Sequence, residues 1–343
     1  MKTVFVVDDN AEDLAAAKQA LSGSYQVLTI PSAEKMFWLL SETTPDIILL
    51  DIEMPEMDGL TALAKFMANE YAARIPVMLL SSSANAEVEA KGISLGAVDF
   101  ISKPFSPPLM LNRIKNHLRI GDLVKNRTER IEQLQKSIVF TFANIVESRD
   151  KVSAGHITRI SQYIKVLVKA MIARDVYPEE LADWDLNTTI SSAHLHDVGK
   201  IVVSELILNK QDKLTHEEYS EIKRHTTEGE KIIEQMITQT GDSLFLYNAK
   251  LFAGAHHEKW DGTGYPRGLQ EEDIPLQGRI MALVDVYDAL VSERPYKPAI
   301  TCDEAAEIIK KDSGTAFDPL IVDVFSEIKG EFAEIVKKTS KDT

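Results

Sequence analysis

Five short apolar segments, spaced along the first 120 residues, limit what this part of the chain can fold into. The stretches between them have the length and periodicity of amphipathic helices. Short, continuous apolar runs that alternate with helices are typical of buried parallel strands. We therefore predict a doubly wound α/β sheet whose strands cover residues 4–7, 27–30, 47–50, 77–80 and 98–101.

Polar residues follow several of these predicted strands directly. They are Asp8 and Asp9 after the first strand, Asp51 after the third, Ser81 after the fourth and Lys103 after the fifth. The carboxyl ends of parallel strands meet at one edge of a sheet, where such folds place their functional groups. Three carboxylates brought together there need a hard cation such as Mg²⁺. Any single Asp at a strand end is also consistent with a helix N-cap or a turn residue.

Together these residues resemble a response-regulator receiver domain with the flavodoxin-like fold. The match covers Asp8-Asp9, the segment DIEMPEMDG at 51–59, Ser81 and Lys103-Pro104. The resemblance implies that a histidine kinase phosphorylates Asp51 and that the two adjacent aspartates hold Mg²⁺. It further implies that Ser81 follows the phosphoryl oxygen, that Lys103 pairs with the phosphoaspartate and that Phe100 is the aromatic switch residue. A cis peptide before Pro104 is expected as well.

A long helical pattern connects this domain to the rest of the chain. In it, Val124, Ile131, Ile138 and Ile145 are seven residues apart, as in a coiled-coil seam. The intervening positions Arg127 and Thr141 are not apolar, so an amphipathic helix packed on its own domain is the alternative to a homodimer formed through this linker helix.

After Phe142 the strand pattern ceases, and amphipathic helical stretches predict an all-α domain. They cover 158–174, 189–196, 216–225, 229–238, 279–292 and 303–311, and the glycines and proline of 256–266 interrupt them with a loop. We therefore predict a multidomain protein with a domain at 1–120, a helical linker at 121–143 and a helical domain at 144–343.

Histidines are concentrated in this second domain. Six of the eight lie in it beside motif-like residues: His156, His194, His196, His225, His256 and His257. Each alone is more often a surface or core residue than a ligand. Imidazole with carboxylate favours Fe, Mn, Zn or Ni over Mg. Two such metals bridged by a carboxylate would activate water and clamp both oxygens of an in-line phosphoryl displacement.

Residues 147–319 resemble the HD-GYP branch of the HD phosphohydrolases, which hydrolyse cyclic di-GMP. The match covers Glu147-Ser-Arg-Asp150, Ala154-Gly155-His156, the segment LHDVGK at 195–200, His225 with Gly229, the loop from His256 to Gly268, the segment DVYDAL at 285–290 and Arg294-Pro-Tyr-Lys297. The resemblance implies one metal set of His156, His196, Asp197 and Asp285, with Asp197 as the bridge, and a second metal completed by His225, His256 and His257. Fe or Mn are the metals we expect.

The same resemblance implies substrate contacts. Lys200, one turn after Asp197, is placed to neutralise a phosphate oxygen, so both are expected to be catalytic. The other expected substrate contacts are Asp288, Arg294, Lys297 and Tyr265, with no acid or base role for the tyrosine. His194 has no ligand role in the family and is read as structural. Some members carry a metal-binding Glu where this chain has Val152, so we predict two metals rather than three, an arrangement loosely associated with pGpG as the product.

Charge, hydrophobicity and cysteine content limit the kinds of protein that this sequence can encode. The net charge of −15 and the lack of a basic recognition helix argue against a DNA-binding output. The N-terminus lacks a signal-like apolar segment and no run would span a membrane, so a cytoplasmic protein is expected. The lone Cys302 precludes an internal disulfide and is expected to be buried.

The sequence thus favours a cyclic di-GMP phosphodiesterase controlled by phosphorylation of Asp51. The expected partners are a histidine kinase and, as further candidates, diguanylate cyclases that carry GGDEF domains. Two alternatives stay open. One is a receptor or scaffold that binds a cyclic dinucleotide or a protein with little or no turnover. The other is the same chemistry on another cyclic dinucleotide.

Overall fold

The computed structural model describes residues 1–69, 75–82, 86–150, 155–293 and 298–339. The chain divides into two compact units, Met1–Ile131 and Glu132–Thr343. Among the described residues no helix is both long and apolar enough to cross a membrane.

The first unit contains the predicted parallel sheet. Its five strands have the order β2-β1-β3-β4-β5, and every neighbouring pair is parallel. This confirms the flavodoxin-like fold, with observed strands that differ from the predicted ones by at most one residue at either end. The elements are β1 (Thr3–Val7), α1 (Ala11–Leu21), β2 (Gln26–Ile30), α2 (Ala33–Glu42), β3 (Ile47–Asp51), α3 (Gly59–Met67), β4 (Val77–Ser81), α4 (Ala86–Ser94) and β5 (Asp99–Ser102).

Both faces of the sheet are covered, which explains the continuous apolar runs of its strands. Alternate residues of one strand enter different cores: Phe5 packs on one face of the sheet and Val6 on the other. Gly59, the first residue of α3, lies against the end of β3. A Cβ there would come within 2.0 Å of the carbonyl oxygen of Asp51, so only glycine allows this close approach beside the predicted phosphorylation site.

A single helix, α5 (Pro107–Ser148), contains the whole predicted linker. Its first turns pack on the parallel sheet of the first unit through Met110 and Ile114. The heptad positions Val124, Ile131 and Ile138 are 49–61% exposed.

In the second unit, as predicted, the described secondary-structure elements are helices, joined by loops that contain two isolated β-bridges. Its helices are α6 (His156–Ala173), α7 (Pro178–Leu181), α8 (Leu186–Ala193), α9 (Glu205–Leu208), α10 (His216–Thr240), α11 (Leu244–Ala255), α12 (Leu276–Val291), α13 (Cys302–Lys311) and α14 (Pro319–Thr339), with short 3₁₀ turns at Val198–Val202 and Glu271–Asp273. Cys302 is half-buried rather than buried.

One predicted break in this unit is wrong. The stretches 216–225 and 229–238 form one helix, α10, which begins with a capping box between Thr215 and Glu218. Gly229 lies inside this helix where it meets the turn at Gly199, and a Cβ on Gly229 would be 3.3 Å from the Gly199 nitrogen. The glycine allows close helix packing there instead of ending the helix.

Candidate functional site

The receiver residues predicted from the strand ends converge at one edge of the sheet. Asp8 and Asp51 are buried, Asp9 is exposed, and one oxygen from each lies within 4.8 Å of the others. Lys103 Nζ is 2.7 Å from both Asp8 Oδ2 and Asp51 Oδ1. It also contacts Asp13 at 3.0 Å, which the sequence did not single out. A lysine and four carboxylates thus share one small polar site.

The electrostatics of this site favour added positive charge. Burial raises the pKa of Asp51 to about 6, despite the opposing effect of Lys103. Ser81 ends the neighbouring strand, and its carbonyl accepts a hydrogen bond from the Lys103 backbone at 2.8 Å. Phe100 lies on β5 with the Arg113 guanidinium 5.7 Å from its ring centre. The expected cis peptide at Lys103-Pro104 is present.

In the second unit, four histidines share one orientation. The Nδ1 atoms of His196, His225 and His256 lie 2.6–3.0 Å from the carbonyls of Ala193, Ile222 and Phe252. His156 Nδ1 lies 2.7 Å from Asp288 Oδ2. Because these oxygens can only accept, each Nδ1 donates, and each neutral ring keeps its lone pair on Nε2. Ordering of this kind is typical of metal-binding histidines.

Two of these lone pairs face each other, which tests whether the site fits a metal. The Nε2 atoms of His225 and His256 are 3.2 Å apart. With both Nδ1 atoms acting as donors, two unprotonated nitrogens at this distance repel unless a cation lies near both. His257 joins the same group, with ligand atoms within 4.8 Å of one another. Three imidazoles beside a carboxylate form a donor set suited to a transition metal.

Asp197 lies between two groups of potential ligands. Its Oδ2 is 3.2 Å from His196 Nε2, while its Oδ1 is 3.3 Å from His225 Nε2 and 3.6 Å from His256 Nε2. On the His196 side, His156 Nε2 is 3.8 Å from Asp285 Oδ1. The seven predicted ligands therefore lie together, with one carboxylate directed at both groups.

The two sides of Asp197 differ in their electrostatics. Burial would lower the pKa of His196, but Asp197 and other carboxylates outweigh it and raise the pKa to about 9. On the other side burial prevails, and the pKa of His225 falls to about 4. The first group thus attracts positive charge, whereas the second presents neutral nitrogen donors.

Lys200 is held between two carboxylates. Its Nζ lies 2.6 Å from Asp150 Oδ2 and 2.7 Å from Asp197 Oδ2. The turn that carries it is fixed by Arg149, whose guanidinium donates to the carbonyls of Lys200, Ile201 and Val203 at 2.8–3.1 Å. The Glu-Ser-Arg-Asp segment at the end of α5 therefore orders the predicted catalytic lysine.

A glycine allows the Lys200 turn to lie directly against α10. A Cβ on Gly199 would be 1.9 Å from the carbonyl oxygen of His225. This close approach brings Asp197 and His225, which are far apart in sequence, to the same site.

The expected substrate contact at Asp288 does not fit the structure. Asp288 is 1% exposed, and it accepts hydrogen bonds from Arg159 Nε at 2.6 Å, Arg159 Nη2 at 2.9 Å and His156 Nδ1 at 2.7 Å. Its oxygens are therefore occupied, and a nucleotide cannot reach them. Asp288 instead orients His156 towards the site.

The loop after α11 is ordered by a glutamate that sequence reasoning missed. Glu258 is buried, and its carboxylate accepts from the backbone nitrogens of Arg267 and Leu269 at 2.7 and 3.1 Å. This places the Tyr265 ring 4.8 Å from the His257 ring, at the edge of the site where a substrate contact was predicted.

Four other predictions concern His194, Arg294, Lys297 and Val152. His194 lies outside both ligand groups, with its Nε2 2.6 Å from Ser161 Oγ, and burial lowers its pKa to about 4. Arg294, Lys297 and Val152 lie outside the described residues, so these substrate contacts and the metal count stay predictions. The site residues missed by sequence were Glu147, Asp150 and Arg149, although they stood in the matched segment, as well as Arg159, Glu258 and Asp13.

Each half of the chain matches a known protein family. The family described as "Response regulator receiver domain" matches residues 4–115, and the family described as "HD domain" matches residues 141–321. A receiver domain implies a kinase partner, and an HD domain implies divalent metal binding.

Three relatives illustrate the similarity. "Probable cyclic di-GMP phosphodiesterase" from Vibrio cholerae is 36% identical over 98% of this chain and 80% of its own length. "Cyclic di-GMP phosphodiesterase response regulator RpfG" from Xanthomonas campestris is 31% identical over 84% of this chain and 77% of its own length. "3'3'-cGAMP-specific phosphodiesterase 2" from Vibrio cholerae is 33% identical over 60% of this chain but only 37% of its own length. The chain belongs to the response regulators in which a receiver domain precedes an HD domain.

Proposed function

We propose that this response regulator hydrolyses cyclic di-GMP to pGpG, GMP or both at a binuclear metal site, under the control of Asp51 phosphorylation. The observation that carries the proposal is the position of Asp197, whose two oxygens are directed at two separate histidine groups. The names of two relatives that align with most of this chain support cyclic di-GMP as the substrate.

The residues present fit two transition-metal ions, for which Fe and Mn are our candidates. One ion would be held by His156, His196 and Asp285, the other by His225, His256 and His257, with Asp197 shared. When bound, such a pair supplies an activated water and stabilises charge on the phosphodiester.

The chain itself contributes orientation and charge. The Nδ1 hydrogen bonds hold the imidazoles in one orientation, so the rings do not have to turn when a cation binds. Lys200 is the cation placed to contact a phosphate oxygen. Asp150 and Asp197 together hold its pKa above the usual range, against the effect of burial, so the lysine carries its charge at neutral pH and does not act as a base.

In the receiver, we propose Asp51 as the acceptor of the phosphoryl group from a histidine kinase. Its proximity to Lys103 and to two further aspartates provides the cation and the Mg²⁺ ligands that such a transfer requires. The change would reach Ser81 on β4, which pairs with the strand of Asp51, and Phe100 on β5, the strand after it.

A steady-state assay of metal-loaded protein tests the activity. We expect Fe- or Mn-loaded protein to convert cyclic di-GMP to pGpG or GMP, and Asp197→Ala to abolish turnover. Glu132→Gln, on the exposed surface of α5, serves as the control and should match the wild type. A parallel assay with 3'3'-cGAMP separates the substrates. Binding of cyclic di-GMP without hydrolysis by fully metallated protein would support a receptor and refute the enzyme.

A further inference from the structure

Glu147 presents a buried carboxylate oxygen, which makes no hydrogen bond, to the first histidine group. The side chain lies near the end of α5 and is 7% exposed. Its Oε1 makes no hydrogen bond and lies 3.3 Å from His156 Nε2. Leaving a buried carboxylate oxygen without a donor is costly, so this position calls for a cationic partner.

The neighbouring donors are arranged like ligands of a single ion. With metal–ligand bonds of about 2.0–2.2 Å, ligands on adjacent coordination positions are roughly 3.0–3.5 Å apart, and opposite ones about 4.2 Å. Glu147 and His156 are 3.3 Å apart, and both lie within 4.8 Å of the His196 ligand atom. His196 Nε2 is likewise buried and without a hydrogen bond. Three donors from three parts of the chain thus lie around one small volume.

We propose that Glu147 is a ligand of the metal ion held by His156 and His196. This rests on the proposed metal site and adds a carboxylate that the family ligand set does not include. It also keeps the metal count at two, because Glu147 shares the coordination sphere of His156 rather than forming another one.

The assignment links metal binding to the linker helix. Arg149 and Asp150, two and three residues after Glu147, already hold the turn of Lys200 through four hydrogen bonds of 2.6–3.1 Å. The Asn209 side chain in turn donates to the Arg149 carbonyl at 2.7 Å. A metal bond from Glu147 adds a restraint at the last full turn of α5. Occupancy of the first metal site therefore stabilises the end of this helix, and loosening the helix end weakens the metal.

Metal titration of the full chain tests this proposal. Mn²⁺ binding to metal-free protein is measured calorimetrically for the wild type, Glu147→Gln and the matched control Glu132→Gln, an exposed residue of the same helix. The amide of Gln keeps the shape but is a much weaker ligand. We expect Glu147→Gln to lower the affinity of one site about tenfold or more and to leave the other unchanged, while Glu132→Gln behaves as wild type.

Hydrogen exchange supplies a readout that does not depend on activity. Mn²⁺ should slow amide exchange in residues 140–150 of the wild type and of Glu132→Gln, but not of Glu147→Gln. Wild-type Mn²⁺ affinity at both sites in Glu147→Gln overturns the assignment and leaves the proposed function intact. A wild type that binds no metal refutes the proposed function itself. Should Glu147→Gln not fold, anomalous scattering from Mn²⁺-loaded wild-type crystals decides whether Oε1 is within bonding distance.

Discussion

Replacing Asp288 by Asn should weaken both the fold and the metal site, because this carboxylate neutralises one buried group and orients another. It accepts two hydrogen bonds from Arg159 and one from His156. Arg159 is itself buried. The Asn side chain has the same shape but only one accepting oxygen, and it removes the carboxylate charge that faces the buried guanidinium.

The size of the effect follows from these contacts. Breaking a buried ion pair by removing one partner costs about 3–5 kcal/mol, against a total stability of roughly 5–15 kcal/mol for a domain. For a unit of this size the expected fall in Tm is roughly 6–20 °C. Losing the partner of a metal-binding histidine lowers metal affinity by about 10–100-fold. Burial would raise the pKa of Asp288, but Arg159 and His156 lower it. The native carboxyl group is therefore charged, and the neutral Asn removes that negative charge.

Two measurements and a matched variant separate these effects. Calorimetric unfolding in a chelator reports stability, and Mn²⁺ titration below the melting range reports affinity. Asp318→Asn is the control: Asp318 is also buried and accepts from Arg279 at 3.0 Å and Tyr177 at 2.8 Å. We expect it to lower Tm without changing metal affinity. Equal loss of affinity in both variants, or wild-type affinity in Asp288→Asn, would contradict an orienting role.

Three further predictions test other parts of the chain. Gly199→Ala should cost about 3 kcal/mol and abolish Mn²⁺ binding because its Cβ would overlap a backbone carbonyl. Gly330→Ala, in open space within α14, should instead stabilise the fold by about 0.5–1 kcal/mol. Chemical denaturation and Mn²⁺ titration check both variants, and a tolerated Gly199→Ala would refute the steric argument. Asp51→Asn and beryllofluoride-treated wild type should hydrolyse substrate at different rates in a steady-state assay, and equal rates would exclude control through Asp51. The double variant Ile131→Asp and Ile138→Asp should convert a dimer to a monomer in light scattering, and a monomeric wild type would rule out the heptad seam.

The fold of the first unit follows from its sequence because buried parallel strands leave a strong signal. Each strand is a continuous apolar run, and the runs end where the observed strands end, within a residue. The helices of the second unit are harder to predict from the sequence. Helix α11 was not predicted because nearly all of its sides are apolar, as expected for a helix that packs on α8, α10 and α12, and such a helix lacks the 3.6-residue pattern. The stretches 216–225 and 229–238 were predicted as separate helices because the close packing of Gly229 on another backbone is not visible in one segment.

The ligand groups could be predicted only in part, because contacts between distant segments are not visible in the sequence. Histidine and aspartate at familiar spacings identified the residues that the structure brings together around Asp197. Spacing does not distinguish Asp285 from Asp288, which lie three residues apart on one helix; only the tertiary contacts show that the second faces Arg159. Glu147 was missed because it lies on a different helix from His156, and no periodicity connects them.

The physical cost of this site argues against a purely structural role. Among the described residues, His196 Nε2, Asp197 Oδ1 and Glu147 Oε1 are buried without hydrogen bonds, and each such atom costs about 1–3 kcal/mol. Apolar side chains of similar size would often make a more stable core. A scaffold that only docked a partner would gain nothing from these atoms, nor from four imidazoles held with Nε2 inwards. A bound metal offsets the cost at every one of these positions at once, so metal binding is the role that best accounts for the arrangement around Asp197.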